Sequence, residues 1–234
     1  MMRRGRDAWR SERPAVNGGV SMTTAATPVT PGPAPVPAYP LRFSVEFPDR
    51  VLDRFSSFFR IFFVIPIAIV LGVIGGSSWG GDFVYVAGVL FLGPLLMIVF
   101  RQKYPRWWWD FNVQLLRFEA RVCSYLLLLR DEYPSTDEEQ AVHLEAGYPD
   151  VRRDLNRWLP LVKWFLSLPH YIVLVFLIIG VVVAAIIAWF AILFTGRYPR
   201  GLFNYVVGVM RWGYRVTAYA FLLNTDKYPP FELA

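Results

Sequence analysis

Two pairs of arginines are the strongest candidates for chemistry in this 234-residue sequence. Arg117 and Arg121 form the first pair, and Arg211 and Arg215 form the second. Their four-residue spacing places both members of a pair on one face of a helix. Two guanidinium groups on one face can bind a phosphate or carboxylate through paired hydrogen bonds. The spacing therefore predicts anion binding, with anionic lipid headgroups as the expected ligand.

Each arginine pair belongs to a longer polar stripe with helical spacing. The first stripe is Asp110, Gln114, Arg117, Arg121 and Tyr125, and the second is Asn204, Gly208, Arg211, Arg215 and Tyr219. Apolar residues fill most other positions, so amphipathic helices are predicted over 107–129 and 201–224, at a membrane interface. Tyr125 and Tyr219 join the arginines as candidate lipid- or anion-binding residues. The alternative is that the arginines extend to the surface or pair internally with Asp131, Asp226 or Glu119.

The remaining reactive residue types indicate no catalytic site. Asp131 and Asp226 end equivalent segments beside basic residues, which favours helix termination and ion pairing over proton transfer. His170 is interpreted as a satisfied interfacial residue, His143 as solvated and Cys123 as a small buried apolar residue. No P-loop, GxSxG, HExxH or GxGxxG pattern occurs. We expect no catalytic residue, no metal and no cofactor.

The composition predicts a membrane protein. Hydrophobic residues make up 55% of the chain and charged residues 18%, whereas soluble domains average about 45–50% apolar and about 25% charged residues. The net charge is +6, but the basic N-terminal run is too short to indicate nucleic-acid binding. The expected partners are membrane lipids and other membrane proteins, with no nucleic acid.

The chain repeats itself. Arg54, Arg60 and Pro66 match Arg157, Lys163 and Pro169 at an offset of 103, KYPR at 103–106 matches RYPR at 197–200, and DEYP at 131–134 matches DKYP at 226–229. Residues 41–134 and 145–234 are therefore predicted to be two copies of one membrane module. The acidic segment 135–144 connects them. A Pro-rich tail, residues 1–40, precedes them and is expected to be disordered and cytoplasmic, with Met1 or Met22 as the true start.

Four apolar stretches, 58–74, 83–100, 161–179 and 180–195, predict an apolar helical hairpin in each module. The turns are expected at 75–83 and near 179–180. Basic residues flank each hairpin, which predicts a multi-pass protein with both termini in the cytoplasm. The legs of the second hairpin are short for a full crossing. A wedge that enters one leaflet and a single long helix over 165–195 are the alternatives.

Residues 169–231 resemble a bacterial membrane-protein family of unknown function, DUF4389. The resemblance rests on PHYIVL, AWFAILFTGRYPRGLFNYVVGVMRW, RVTAYAFLL and DKYPPF in the second module. The first module resembles a diverged copy, with Ile67 in place of His170 and KYPRWWWDF in place of RYPRGLFNY. The resemblance implies an integral protein of a bacterial, actinobacterial-type cytoplasmic membrane. It brings no catalytic residues to this chain.

These patterns together predict an all-α integral membrane protein of two tandem repeats, each a helical hairpin followed by an arginine-striped helix. The leading hypothesis is a non-enzymatic accessory or scaffold protein that contacts anionic headgroups or partner membrane helices. The alternative is a small transporter or channel subunit with its pathway at the repeat interface. A lipid-modifying enzyme is a third hypothesis, and it requires Asp110, Asp131 or His170 to converge in one pocket.

Overall fold

The computed structural model describes residues 39–75, 83–136 and 138–233, and the first 38 residues of the predicted tail and most of the predicted turn at 75–83 lie outside that part of the chain. The elements are β1 (Leu41–Val45), α1 (Arg54–Gly75), α2 (Phe83–Arg101), α3 (Arg106–Leu126), β2 (Val142–Ala146), α4 (Val151–Asp154), α5 (Pro160–Leu166), α6 (Leu168–Thr195) and α7 (Arg200–Thr217), followed by a π-helical segment (Ala218–Leu222). The predicted predominance of helix is confirmed.

The all-α prediction is wrong in one respect, because β1 and β2 form a two-stranded antiparallel sheet with Phe43 opposite Leu144. Both strands alternate between buried and exposed positions. In β1 the buried side chains include Leu41 and Phe43, while Arg42 between them is exposed. This period of two is the signature of a strand with one face covered, and it was the available sequence signal.

The hairpin prediction for the second module is also wrong, because α6 is an unbroken helix of 28 residues. The single long helix, which was the alternative, describes this segment. Gly180 lies inside it, where an added Cβ would come within 2.3 Å of the Tyr205 hydroxyl oxygen. That hydroxyl donates to the carbonyl of Leu177 at 2.9 Å. Gly180 therefore permits close approach of α7 and does not mark a turn.

The apolar helices pack lengthwise along the amphipathic helices. On α1, Arg60 contacts Tyr125 near the end of α3, and Val64 packs in one cluster with Phe118 and Val122. Residue numbers therefore increase along α1 in the direction in which they decrease along α3, so the two helices run antiparallel. α6 packs antiparallel along α7 in the same way, with His170 against Trp212 and Leu177 against Tyr205.

The sheet covers the opposite faces of the amphipathic helices. β1 packs on α7, and β2 packs on α3. The described part of the chain is therefore layered, with the sheet outermost, α3 and α7 in the middle, and the apolar helices α1 and α6 on the far side. The strand on α7 belongs to the first predicted module, whereas the strand on α3 begins in the predicted connector and ends in the second module. All of these elements lie within one unit, Ala38–Ala234.

Two helical segments are long and apolar enough to cross a membrane, Arg54–Val73 in α1 and Leu168–Thr195 in α6. Only 17% of the first and 22% of the second apolar window is buried inside the protein. The side chains that face outward from α6 include Phe176, Val182 and Ile186, each at least half exposed. These helices are not the covered core helices of a globule.

The close contact at Gly180 predicts a non-additive pair of substitutions. Gly180→Ala should lower the free energy of unfolding by about 1–3 kcal/mol, because the new methyl group collides with the Tyr205 hydroxyl. In the Tyr205→Phe background the same change should cost much less, since the colliding oxygen is gone. Thermal unfolding followed by tryptophan fluorescence measures both effects, and equal costs in the two backgrounds would contradict this packing.

Candidate functional site

A buried lysine joins the start of the second apolar segment to the end of the second amphipathic helix. Lys163 of α5 is fully buried. Its Nζ donates to the carbonyl of Thr225 at 2.6 Å and lies 2.7 Å from Oδ1 of Asp226. The ammonium also lies 5.1 Å from the ring centroid of Tyr219. The second carboxylate oxygen of Asp226 accepts a hydrogen bond from the backbone N–H of Asn156.

A buried arginine occupies the corresponding place on the first apolar helix. Arg60 is 2% exposed and forms a salt bridge with Asp131. It also donates to the carbonyls of Tyr125 and Arg130 at 2.9 and 2.7 Å, and its guanidinium carbon lies 4.4 Å from the Tyr125 ring centroid. The backbone N–H of Asp53 donates to the other oxygen of Asp131 at 2.8 Å.

Both sites are closed by a backbone reversal at a leucine in the left-handed conformation. Leu128 has φ of 63° and Leu223 has φ of 57°, which is uncommon for a residue other than glycine. Each leucine follows an amphipathic helix and precedes the carboxylate of its site by three residues. The reversal brings carbonyl oxygens and an aspartate to the buried cation, and it confirms the ion pairing predicted for Asp131 and Asp226.

The two cations differ in their acid–base chemistry. Burial lowers the pKa of Lys163 from its ordinary value of 10.5, and the hydrogen bond and charge of Asp226 act in the opposite direction. A guanidinium does not release its proton in proteins, whereas an ammonium can. Lys163 is therefore the member of the two sites that can change its charge.

The four predicted arginines have partners within the protein. The Nε atoms of Arg117 and Arg211 donate to the carbonyls of Leu144 and Phe43 at 2.9 and 3.0 Å, and these two acceptors face each other in the sheet. Arg121 donates to the carbonyl of Ser135 at 2.7 Å.

The second stripe also receives cover from the C-terminal segment. Arg211 donates to the carbonyl of Leu233 at 3.2 Å, and Nη1 of Arg215 lies 3.4 Å from a carboxylate oxygen of Glu232. Burial, followed by the charge of Arg215, lowers the pKa of Arg211. The internal partners of the four arginines are backbone carbonyls and Glu232. They are not Asp131, Asp226 or Glu119, the carboxylates that the sequence alternative named.

The structure separates the predicted tyrosines from the predicted arginine pairs. Tyr125 and Tyr219 are buried and lie over the cations Arg60 and Lys163. Arg60 and Lys163 mark the repeat in the sequence, but their types and spacing did not predict them as site residues. The available signal was their position, because a charged residue inside an apolar stretch needs a buried partner.

One arginine pair lines an open groove of about 580 Å³. Its polar lining residues are Gln114, Arg117, Arg121, Thr136, Glu139, Gln140, His143 and Glu145. Two carboxylates share this groove with two guanidinium groups, so its formal charge is balanced. The groove can hold polar molecules, but its charge does not select an anion.

The residues that the enzyme hypothesis requires have separate partners. Asp110 is exposed and lies 3.7 Å from Arg106, Asp131 pairs with Arg60, and the buried His170 accepts a hydrogen bond from Trp212 at 3.1 Å. Among the described residues, no group of three or more His, Cys, Asp or Glu could hold a metal ion.

Residues 158–232 match the family model described as Domain of unknown function (DUF4389). The matched segment contains α5, α6, α7 and the π-helical segment, and it includes Lys163, Tyr219 and Asp226. The comparison with curated proteins gave no match, and the comparison with solved structures gave none either.

The two buried cations predict different responses to pH when their aspartates are removed. Asp226→Asn should cost about 3–5 kcal/mol of stability near neutral pH, because it leaves a buried ammonium without its carboxylate. The loss of Asp226 also lowers the pKa of Lys163 further below 10.5. The unfolded state then binds more protons than the folded state, so stability should recover as the pH rises toward that value and fall again on acidification.

Asp131→Asn is the matched control, because it exposes a buried guanidinium to the same loss of its carboxylate partner in place of a buried ammonium. It should destabilise the protein without alkaline recovery. Thermal unfolding of both variants in detergent, from neutral to alkaline pH, measures the difference. Parallel curves for the two variants would contradict the assignment of Lys163 as the titrating cation.

Proposed function

We propose that this protein is a non-enzymatic scaffold or accessory protein of a membrane, whose apolar helices lie within one leaflet. Its sheet and loops face water, and its outward apolar faces contact lipid or the membrane helices of partner proteins. The observation that carries the proposal is that α1 and α6 are strongly apolar and largely uncovered by the rest of the protein.

The exposed apolar area argues for lipid as the surrounding medium. Monomeric soluble proteins rarely expose a contiguous apolar patch larger than a few hundred Å². Here the outward side of α6 alone includes Ile172, Phe176, Ile179, Val182, Val183, Ile186 and Phe194, all at least half exposed. A surface of this kind is stable in hydrocarbon and costly in water.

The layering argues for helices that lie in the membrane plane. α6 packs lengthwise on α7, and α7 is covered on its other side by β1, whose outer residues Arg42 and Ser44 are exposed. If α6 crossed the bilayer along its normal, it would carry α7 and the polar sheet into the hydrocarbon, where charged side chains are expensive. With α6 parallel to the surface, the sheet faces water and the apolar layer faces lipid.

The basic flanks favour the same orientation. Basic residues occur on both sides of α6, at Arg152, Arg153 and Arg157 before it and at Arg197 and Arg200 after it. A single crossing would place one of these groups on the outer side of the membrane, against the preference for cytoplasmic basic residues. A helix that stays in the inner leaflet keeps both groups on the cytoplasmic side. The multi-pass topology predicted from the sequence stays a prediction, and the packing favours this alternative.

The two-copy organisation supports a scaffold role and is part of the proposal. Its support is the recurrence of contacts at the predicted offsets: Arg60, Tyr125 and Asp131 correspond to Lys163, Tyr219 and Asp226. The left-handed residues Gln102 and Gly196 end α2 and α6 at corresponding positions. The duplicated features are cations that tie helices together, and they contain no duplicated catalytic group.

The four stripe arginines keep a more limited role in this proposal. Arg117 and Arg211 hold the sheet on the amphipathic helices, so their Nε atoms are committed to strand carbonyls. Contact of the arginine pairs with anionic headgroups stays a prediction. Arg117 and Arg121 remain candidates for polar contacts through the open groove.

In-plane insertion predicts that the segments before and after α6 lie on the same side of the membrane. In a Cys123→Ala background, Arg153→Cys precedes α6 and Asn204→Cys follows it, and both native side chains are exposed. We expect a membrane-impermeant maleimide to label both cysteines from the same side of sealed vesicles. Labelling from opposite sides would show that α6 crosses the bilayer.

Membrane binding should depend on the outward face of α6. Val182→Glu combined with Ile186→Glu places two charges at positions that are 53% exposed, and we expect it to shift the protein from carbonate-resistant membranes to the soluble fraction. Tyr133→Glu is the control, because Tyr133 is 49% exposed but lies in the loop after α3. Equal partitioning of both variants would contradict the role of α6.

A further inference from the structure

Three arginines from distant parts of the sequence line one small cavity. Arg50 comes from the loop between β1 and α1, whereas Arg197 and Arg200 come from the end of α6 and the start of α7. The cavity has a volume of about 300 Å³, and Phe47 and Tyr198 supply aromatic walls. Asp49 also lines it, so three formal positive charges meet one negative charge.

The guanidinium groups of these arginines are available to a ligand. Within the described residues, the guanidinium groups of the three arginines form no hydrogen bond and no salt bridge. Arg200 contacts the face of Phe47, with its guanidinium carbon 4.8 Å from the ring centroid. Such a contact leaves the N–H groups at the edge of the guanidinium free to donate.

The corresponding residues of the first copy are arranged differently. Arg106 corresponds to Arg200 and likewise lies over an aromatic ring, that of Tyr148, at 4.7 Å. However, Arg106 also lies 3.7 Å from Asp110, whereas the matching position near Arg200 is the uncharged Asn204. The Tyr148 hydroxyl also donates to the carbonyl of Tyr104, and Phe47 has no hydroxyl to make this contact. Among the described residues, Arg200 therefore lacks the carboxylate partner that Arg106 has.

The walls of the cavity are held by backbone contacts. The N–H of Leu52 donates to the carbonyl of Gly196 at 2.9 Å. Gly196 has φ of 72°, and a Cβ there would come within 2.4 Å of Val51. These contacts fix the end of α6 against the start of α1, and so they fix the arginines of one segment opposite the arginine of the other.

The cavity lies where the apolar layer meets the polar layer. α6 ends at Thr195 and α1 begins at Arg54, so the lining residues immediately flank the two apolar helices. The start of α7 at Arg200 adds the positive end of a helix dipole. In the membrane orientation proposed above, this depth is that of the phosphate groups of lipids.

We propose that this cavity binds the phosphate of an anionic phospholipid through Arg50, Arg197 and Arg200. Guanidinium groups suit phosphate because they donate paired hydrogen bonds to its oxygens. The volume accepts a small headgroup, and the acyl chains would continue along the apolar faces of α1 and α6. The inference rests on the proposed membrane location but adds a specific ligand site to it.

The test compares two triple variants of the full chain with the same change in charge. The site variant is Arg50→Gln with Arg197→Gln and Arg200→Gln. The control variant is Arg42→Gln with Arg152→Gln and Arg153→Gln, which removes three exposed arginines outside the cavity. Each protein is placed in phosphatidylcholine nanodiscs with and without phosphatidylglycerol, and native mass spectrometry measures the phosphatidylglycerol that stays bound on release.

The site variant should lose more than about tenfold of its apparent affinity for phosphatidylglycerol, since each charged hydrogen bond contributes about that factor. The control variant should retain the wild-type affinity. Equal losses in both variants would show that binding is diffuse electrostatic attraction, and no loss in the site variant would show that the cavity is not used. Either result would overturn the proposal.

A second arm separates a lipid from a soluble ligand. Glycerol phosphate and inorganic phosphate are titrated against the wild type in detergent, with thermal unfolding as the readout. If these anions bind the cavity and phosphatidylglycerol does not, the lipid assignment is wrong. Carbonate extraction of the same variants tests membrane binding separately, so failure of the headgroup site with intact membrane binding is distinguishable from failure of the proposed function.

Discussion

The architecture depends on the hydrogen bonds between two arginines and two strand carbonyls. When a helix is packed between two layers, the N–H groups of its guanidinium side chains need hydrogen-bond acceptors, because a buried donor without an acceptor costs free energy. Arg117 and Arg211 find them at Leu144 and Phe43, which are paired with each other in the sheet. The strands thereby cover the positions of Arg117 and Arg211, whereas Asp110, Gln114 and Asn204 on the same polar faces stay exposed. The other sides of α3 and α7 pack against α1 and α6, and the order of the layers follows.

The buried cations of Arg60 and Lys163 serve the next step, which is to hold the apolar helices in register. A buried ion pair adds little net stability over an apolar pair, but removing one partner is strongly destabilising. Each cation here contacts several groups at once: it pairs with a carboxylate, donates to backbone carbonyl oxygen and lies over a tyrosine ring. Shifting α1 along α3 by one turn would leave the Arg60 guanidinium without its partners, among apolar residues. The pairs therefore specify one alignment of helices whose contacts are otherwise non-directional.

Much of the helical framework was predictable from the sequence, since it is encoded locally. Apolar runs gave α1 and α2, and the polar stripes gave α3 and α7 to within a few residues at their starts. Gly180 misled the prediction because a glycine in an apolar run looks the same whether it serves a turn or a close contact, and the contact is with Tyr205, 25 positions later. The segments of β1 and β2 alternate between apolar and polar residues, but each is only five residues long, and the longer apolar runs favoured an all-helical prediction.

The partners of the charged residues were not predictable, because they depend on contacts between distant segments. The spacing of Arg211 and Arg215 correctly indicated groups that seek oxygen acceptors. It could not indicate that the acceptor of Arg211 would be Phe43, which is 168 positions away. The cavity of Arg50 and Arg197 has the same origin, since its two sides meet through contacts between distant segments, among them the hydrogen bond from the Leu52 N–H to the carbonyl of Gly196.

The exchange of strands has a consequence for how such a chain could exist in a shorter form. β1 covers α7 and β2 covers α3, so the strand carbonyl that Arg211 binds comes from the other predicted half of the chain. The family model that matches residues 158–232 includes neither strand. A polypeptide with one such half would leave its amphipathic helix open until a second molecule supplied the strand. In the present chain one polypeptide supplies both strands, so the sheet ties the N-terminal segment to the C-terminal amphipathic helix without an intermolecular contact.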